Sequence, residues 1–178
     1  MSNALIVSTA RTPLTKSWKG AFNMTHGATL GGWAVKAAVE RAGIEAGAIE
    51  DVLMGCANPE GATGANIARQ IALKAGLPVT VSGVTINRFC ASGVTAIQMA
   101  ADRIRVGEAD VMFAGGVESM SMIPMGGNKP SLSPLIFEKD ENIGIAYGMG
   151  LTAEKVAAQW KISREAQDAF SVESHRRA

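Results

Sequence analysis

Aromatic side chains are scarce, at 5% of the 178 residues. That excludes an interior built on stacked rings. With hydrophobic residues at 47% and 20 glycines, the expected core is helices packed closely against a sheet. Cysteine is as sparse. Cys56 and Cys90 are too few for a disulfide framework and have no metal-ligand spacing. With only His26 and His175 beside them, no zinc site is expected. Charge of one sign is also missing. A net charge of +1 without a basic run gives no reason to expect nucleic acid or an anionic membrane surface as partner. No stretch approaches the roughly 18 apolar residues of a membrane span. Met1 to Val7 lacks the charged start and long apolar run of a signal peptide. A soluble protein in the reducing cytoplasm is therefore the expectation, and the length suits one compact domain with a buried core.

The apolar pattern alternates between two periods along the chain. Ala4-Leu5-Ile6-Val7 reads as a strand buried on both faces. Arg11-Thr12-Pro13 ends it, and a loop follows to Gly27. Thr29 is the expected cap of a helix from Leu30 to Ala42, with Leu30, Ala34 and Ala37 on its inner face and Gly43 as its stop. Asp51 to Cys56 reads as the next strand, and about Asn66 to Ala75 as a helix with Ile67, Ile71 and Ala75 on one face. Gly76-Leu77-Pro78 closes that helix. Thr80 to Asn87 is a third strand. From Val94 the period is helical: Val94, Ile97, Ala100 or Ala101, and Ile104 form the apolar stripe. After Gly107 comes the strand Asp110 to Gly115. The order β-α-β-α-β-α-β predicts an α/β fold with a mainly parallel sheet and helices on both faces.

Val117 to Gly150 interrupts this rhythm. It holds Pro124, Pro130 and Pro134, with Met120, Met122, Met125 and Met149. A loop of this length is usually functional or disordered. Methionines make an adaptable apolar surface suited to a flexible chain-like ligand, or fill gaps beneath an insertion or at a subunit contact. Beyond it, Thr152 is the expected cap of Ala153 to Gln159, and Ser163 of a helix running from Arg164 to the end.

Cys90 stands where the third strand hands over to its helix. A helix start offers free N–H groups and a partial positive charge, and both favour a thiolate over a thiol. Ser92 is the expected cap of a helix beginning near Gly93, and Gly93 leaves room for a backbone or substrate to come close. Open α/β sheets place their chemistry at such a turn. The plainer alternative is a small buried apolar cysteine. Cys56, His26 and His175 are read as core, loop and solvated helix end, without chemistry.

Several stretches, in order and over nearly the whole chain, resemble the thiolase family. They are Ala10-Arg11-Thr12-Pro13, Pro59-Glu60-Gly61 with Asn66-Ile67-Ala68-Arg69-Gln70, and Asn87-Arg88-Phe89-Cys90-Ala91-Ser92-Gly93. Ala114-Gly115-Gly116-Val117-Glu118-Ser119-Met120-Ser121, Gly148-Met149-Gly150-Leu151-Thr152-Ala153-Glu154, and Gln167-Asp168 with Ser174-His175-Arg176 continue the pattern. The resemblance implies a first β-α-β-α-β-α-β unit over residues 1–118 and a substrate-covering loop region with trailing helices over 119–178, the second α/β unit being absent. It implies reversible transfer of an acyl group: a 3-ketoacyl-CoA is cleaved by CoA to acyl-CoA and acetyl-CoA. Cys90 falls at the nucleophile that carries the acyl group as a thioester, and its own N–H at one oxyanion donor. Gly148 and Met149 fall at the substrate-binding pair of the loop region. Coenzyme A is then a substrate, and no metal, flavin or nicotinamide is needed. The family also implies a homodimer, or a dimer of dimers, joined through the Thr80 to Asn87 strand.

The pattern is closest to degradative 3-ketoacyl-CoA thiolases of fatty-acid β-oxidation. Biosynthetic acetoacetyl-CoA relatives commonly carry His where this sequence has Gly148, so tolerance of longer acyl chains is expected. Thr15 departs from the glycine many members place after Arg-Thr-Pro. Members are roughly twice this length. In them the second half supplies an activating His, a second Cys and an Asn, none of which has a counterpart here. These residues alone are expected to turn over substrate poorly or not at all. The alternatives are a biosynthetic thiolase, a non-catalytic dimerisation module, and a related ketoacyl synthase, the last disfavoured by Gly115 to Ser121 and the methionine-rich loop.

Overall fold

The computed structural model describes residues 3–178. They form two compact units, one reaching to Pro130 and one from Ser131 to Ala178. The stretch from Ser119 to Pro130, assigned by sequence to the loop region, belongs to the first. Its Ser119 and Ile123 are buried, and Met122 and Ile123 donate backbone N–H groups to the Ser119 carbonyl.

The first unit is an open parallel sheet in the order β2-β1-β3: β1 is Asp51–Gly55, β2 Ser82–Ile86 and β3 Met112–Gly116. Leu53 of β1 pairs with Val84 on one side and Ala114 on the other. A central parallel strand is covered on both faces, so its sequence reads as a continuous apolar run. Val52 and Met54 point to one face, into a core with Val35, Ile67, Ile71, Leu77 and Val81. Leu53 points to the other, against Ala96 and Ala100. Helices α1 (Gly27–Ala42) and α2 (Ile67–Lys74) cover the first face, and α3 (Ser92–Arg105) the second. The α/β class, the parallel sheet and the helices on both faces are as the sequence predicts.

Two parts of that prediction need correction. Ala4 to Val7 is no strand. Leu5, Ile6 and Val7 are largely exposed, and the segment lines a cavity of about 490 Å³ whose other lining includes Met112 to Gly116. It stands off β3 instead of pairing with it, and hydrogen bonds to α1 hold it in place: Ser8 Oγ donates to the Ala38 carbonyl and Arg41 Nη1 to that of Thr9. The inner faces of α1 and α3 are also turned from the expected stripes. Gly31, Gly32, Val35 and Ala38 are buried on α1, and on α3 the expected Ala100 is buried together with Ser92, Thr95 and Ala96, whereas Val94 and Ile97 of the expected stripe are exposed. Small residues win the inner positions because the backbones come too close for large ones. A Cβ on Gly31 would sit 2.6 Å from Ile71 Cγ1, inside any van der Waals contact.

Helix ends follow local chemistry. His26 caps α1, its Nδ1 accepting from the Ala28 N–H at 3.1 Å, so the helix begins ahead of the expected Thr29 cap. Gly43 closes it at φ 65°, the left-handed conformation that glycine adopts without a Cβ penalty.

In the second unit, 3₁₀ turns at Pro134–Glu138 and Asp140–Ala146 lead into α4 (Met149–Trp160) and α5 (Arg164–Arg177). Ser163 caps α5 as the sequence indicates, accepting from the Ala166 N–H. Thr152 is no cap. It lies inside α4, its hydroxyl donating back to the Gly148 carbonyl at 3.2 Å.

Candidate active site

Cys90 lies between β2 and α3 and is exposed, so the buried-core alternative does not hold. Its turn sits at the carboxyl end of the sheet because α3 starts directly against the last residue of β1. A Cβ on Gly55 would lie 2.6 Å from Gly93 N, so only glycine lets the helix start settle there. Gly93 itself has open space where a Cβ would stand.

The turn is sharp. Phe89 holds φ 45°, a left-handed conformation that costs a bulky residue about 1–3 kcal/mol and persists only where its surroundings enforce it. Two side chains enforce it. Asn87 Oδ1 accepts from the Phe89 N–H at 2.9 Å. Ser92 Oγ accepts from the Arg88 N–H at 2.8 Å and donates to the Phe89 carbonyl at 2.6 Å. Ser92 therefore braces the turn before it and is not the cap of α3, whose N-cap is Ala91 without a side-chain bond. The Ala91 and Ser92 N–H groups close onto the Arg88 and Phe89 carbonyls, each at 3.0 Å. The N–H of Cys90 is engaged by no hydrogen bond among the described residues. It sits beside the thiol, available to an incoming oxygen.

The neighbouring strand ends are stitched to this turn. The Cys56 N–H donates to the Ile86 carbonyl at 2.9 Å and the Val117 N–H to that of Gly55 at 3.0 Å. Glu118, just past β3, accepts from the Ala57 N–H at 2.8 Å and the Asn58 N–H at 3.2 Å. Its Oε1 also lies 3.5 Å from the Cys56 thiol. Burial, and then the Glu118 charge beside it, push the Cys56 thiol up to about 11, outweighing the Thr63 side-chain hydroxyl, which favours the thiolate. Cys56 is thus a neutral core thiol, as the sequence reading has it.

Gly148 and Met149 belong to the second unit, where Gly148 is the N-cap of α4 and Met149 its exposed first residue. His26 is committed to its cap and His175 stands in the last turn of α5. The sequence reading singled out Cys90 and missed Asn87 and Glu118. An Asn two residues before a turn position was signal enough for the first, since its side chain bonds backbone N–H groups two residues on. Glu118 reaches partners about 60 residues away, which no local pattern reveals.

An open parallel sheet that presents an exposed cysteine at a strained strand-to-helix turn defines the class: an α/β unit displaying a thiol at the carboxyl ends of its strands. The chain belongs to the thiolase family, residues 4–178 matching the thiolase N-terminal domain. It is 45% identical over 178 residues to a 3-ketoacyl-CoA thiolase of Bacillus subtilis, covering all of this chain and 45% of that protein. An acetyl-CoA acetyltransferase of Rhizobium meliloti is 39% identical over 188 residues, 100% of this chain and 48% of its own length. Among solved structures, the Acat5 thiolase of Ascaris suum in complex with coenzyme A superposes with a TM-score of 0.80 at 33% identity, over 99% of this chain and 48% of that one. The chain thus spans about half the length of the relatives it matches.

Proposed function

We propose that this chain is the nucleophile-bearing half of a 3-ketoacyl-CoA thiolase, an acetyl-CoA C-acyltransferase, working in the degradative direction of fatty-acid β-oxidation. The observation that carries the reading is Cys90, exposed at a braced turn with its own N–H unspent. The Cys90 sulfur attacks the 3-keto carbon, and that N–H is one donor to the oxyanion. The bond between carbons 2 and 3 then breaks, the two-carbon fragment leaves as the enolate of acetyl-CoA and takes up a proton, and the remaining acyl group stays on sulfur as a thioester. The thiolate of free CoA attacks that thioester and restores Cys90. Attacking and leaving groups are both sulfur, so the exchange runs in either direction without metal, flavin or nicotinamide. The groups that move protons are contributed by the rest of a full-length enzyme.

The names of the relatives support both the longer-chain and the acetyl-transferring members of the family. Gly148 favours the former, because acetoacetyl-CoA-specific relatives commonly carry His at this place in the family pattern. β2 ends the sheet, and its free edge is the surface for a two-fold homodimer contact. A reducing cytoplasm fits two cysteines that are both free. The test is to offer the chain acyl-CoAs of increasing length and follow thioester formation at Cys90. Comparable rates for acetyl and medium-chain donors uphold the reading; restriction to the shortest overturns the chain-length assignment, and no thioester with any donor overturns the function.

A further inference from the structure

The geometry points to Asn87 as the positioning residue that holds Cys90 at the tip of its turn, an inference that rests on the function proposed above. Ser92 bonds only within the turn, whereas Asn87 ties the turn to the segment after β1. Asn87 Nδ2 donates to the Ala57 carbonyl at 3.1 Å, while its Oδ1 accepts from the Phe89 N–H at 2.9 Å. The Ala57 residue is itself fixed from the other side, its N–H donating to Glu118 Oε2 at 2.8 Å. A continuous line of hydrogen bonds therefore runs from the end of β3, through the segment after β1, to the one residue before the nucleophile. That residue, Phe89, has the positive φ. Without Asn87 the Phe89 peptide keeps only Ser92 to oppose its return to an ordinary conformation. Such a return would swing the Cys90 sulfur and N–H away from where they act. Asn87 touches no reacting atom; it acts by enforcing the backbone of Phe89.

This assignment makes an uncommon prediction: a glycine next door should stand in for the missing amide. Glycine at position 89 adopts positive φ without strain, so Phe89→Gly should repair Asn87→Ala. The probes are acetyl-CoA, read as thioester on Cys90, and iodoacetamide, read as alkylation rate at Cys90, on the 178-residue chain. Asn87→Ala is expected to slow thioester formation about tenfold to a hundredfold, the scale of small misplacements of reacting groups. The double variant Asn87→Ala/Phe89→Gly is expected to regain most of that loss. Asn87→Asp, which keeps the acceptor and loses the donor to Ala57, is expected to fall between. Wild-type reactivity in Asn87→Ala, or no recovery in the double variant, overturns the assignment. If Asn87→Ala alone loses its folded circular dichroism, the double variant decides, since fold and reactivity must return together. If acetyl-CoA leaves even the wild type unmodified, the proposed function fails, and the same ranking with iodoacetamide still upholds or overturns the role of Asn87.

Discussion

The two cysteines carry the same functional group in opposite settings, and that contrast is testable at the level of single residues. Cys90 is exposed, and Cys56 is fully buried, where burial and then the neighbouring Glu118 carboxylate raise its thiol to about 11. At neutral pH an alkylating agent is expected to mark Cys90 and leave Cys56 unmodified until the chain unfolds, as peptide mapping will show. The raised value also links to stability. A thiol of ordinary value, 9.0, loses its proton in the unfolded chain before the folded one does. The native state then binds more protons, so stability falls as pH rises from about 9 to about 11, and this contribution is flat below and above that window. Urea midpoints across that range should decline in the wild type and decline less in Cys56→Ala. Equal slopes would remove Cys56 as the cause.

At the scale of elements, the site depends on how closely α3 approaches β1. Gly55→Ala would push the helix start off the strand end and is expected to destabilise the chain by about 1–3 kcal/mol, the usual cost of overpacking. It should also slow modification of Cys90, because the turn moves with the helix. Thermal unfolding combined with the alkylation rate checks both, and a change in stability without a change in rate would separate the packing from the site. The same closeness explains which parts of the fold were legible in the sequence. β1 was plain because a strand covered on both faces is apolar throughout, and α2 because Ile67 and Ile71 repeat at helical spacing. The inner faces of α1 and α3 were misread because periodicity ranks Val94 and Ile97 above Ala96 and Gly31. Contact between backbones selects for smallness instead. Ala4 to Val7 was misread for another reason: its composition is that of a strand, but a ladder also needs an adjoining edge within reach, and no local pattern records that. Cys90 was legible as an exposed turn residue through its place between two periods, whereas Asn87 and Glu118 make their contacts with partners that the fold brings together.

At the scale of the whole molecule, the chain covers 45% of the Bacillus subtilis relative, and the Cys90 thiol has no hydrogen-bond partner among the described residues. Steady-state thiolysis of a 3-ketoacyl-CoA by the 178 residues alone should therefore stay close to the uncatalysed rate, although the first half-reaction remains open to it. Robust turnover would show that the chain supplies its own proton-transfer group. Val94 and Ile97, three residues apart on α3, present exposed apolar surface, so the isolated chain is also expected to self-associate. Sedimentation across a concentration series measures this.

The most direct test of the central claim is peptide mapping after brief exposure of the chain to isotopically labelled acetyl-CoA. The account predicts label on the peptide containing Cys90, bound as a thioester that free CoA or hydroxylamine removes, and absent from Cys90→Ser. Label confined to Cys56, or retained in Cys90→Ser, would contradict it.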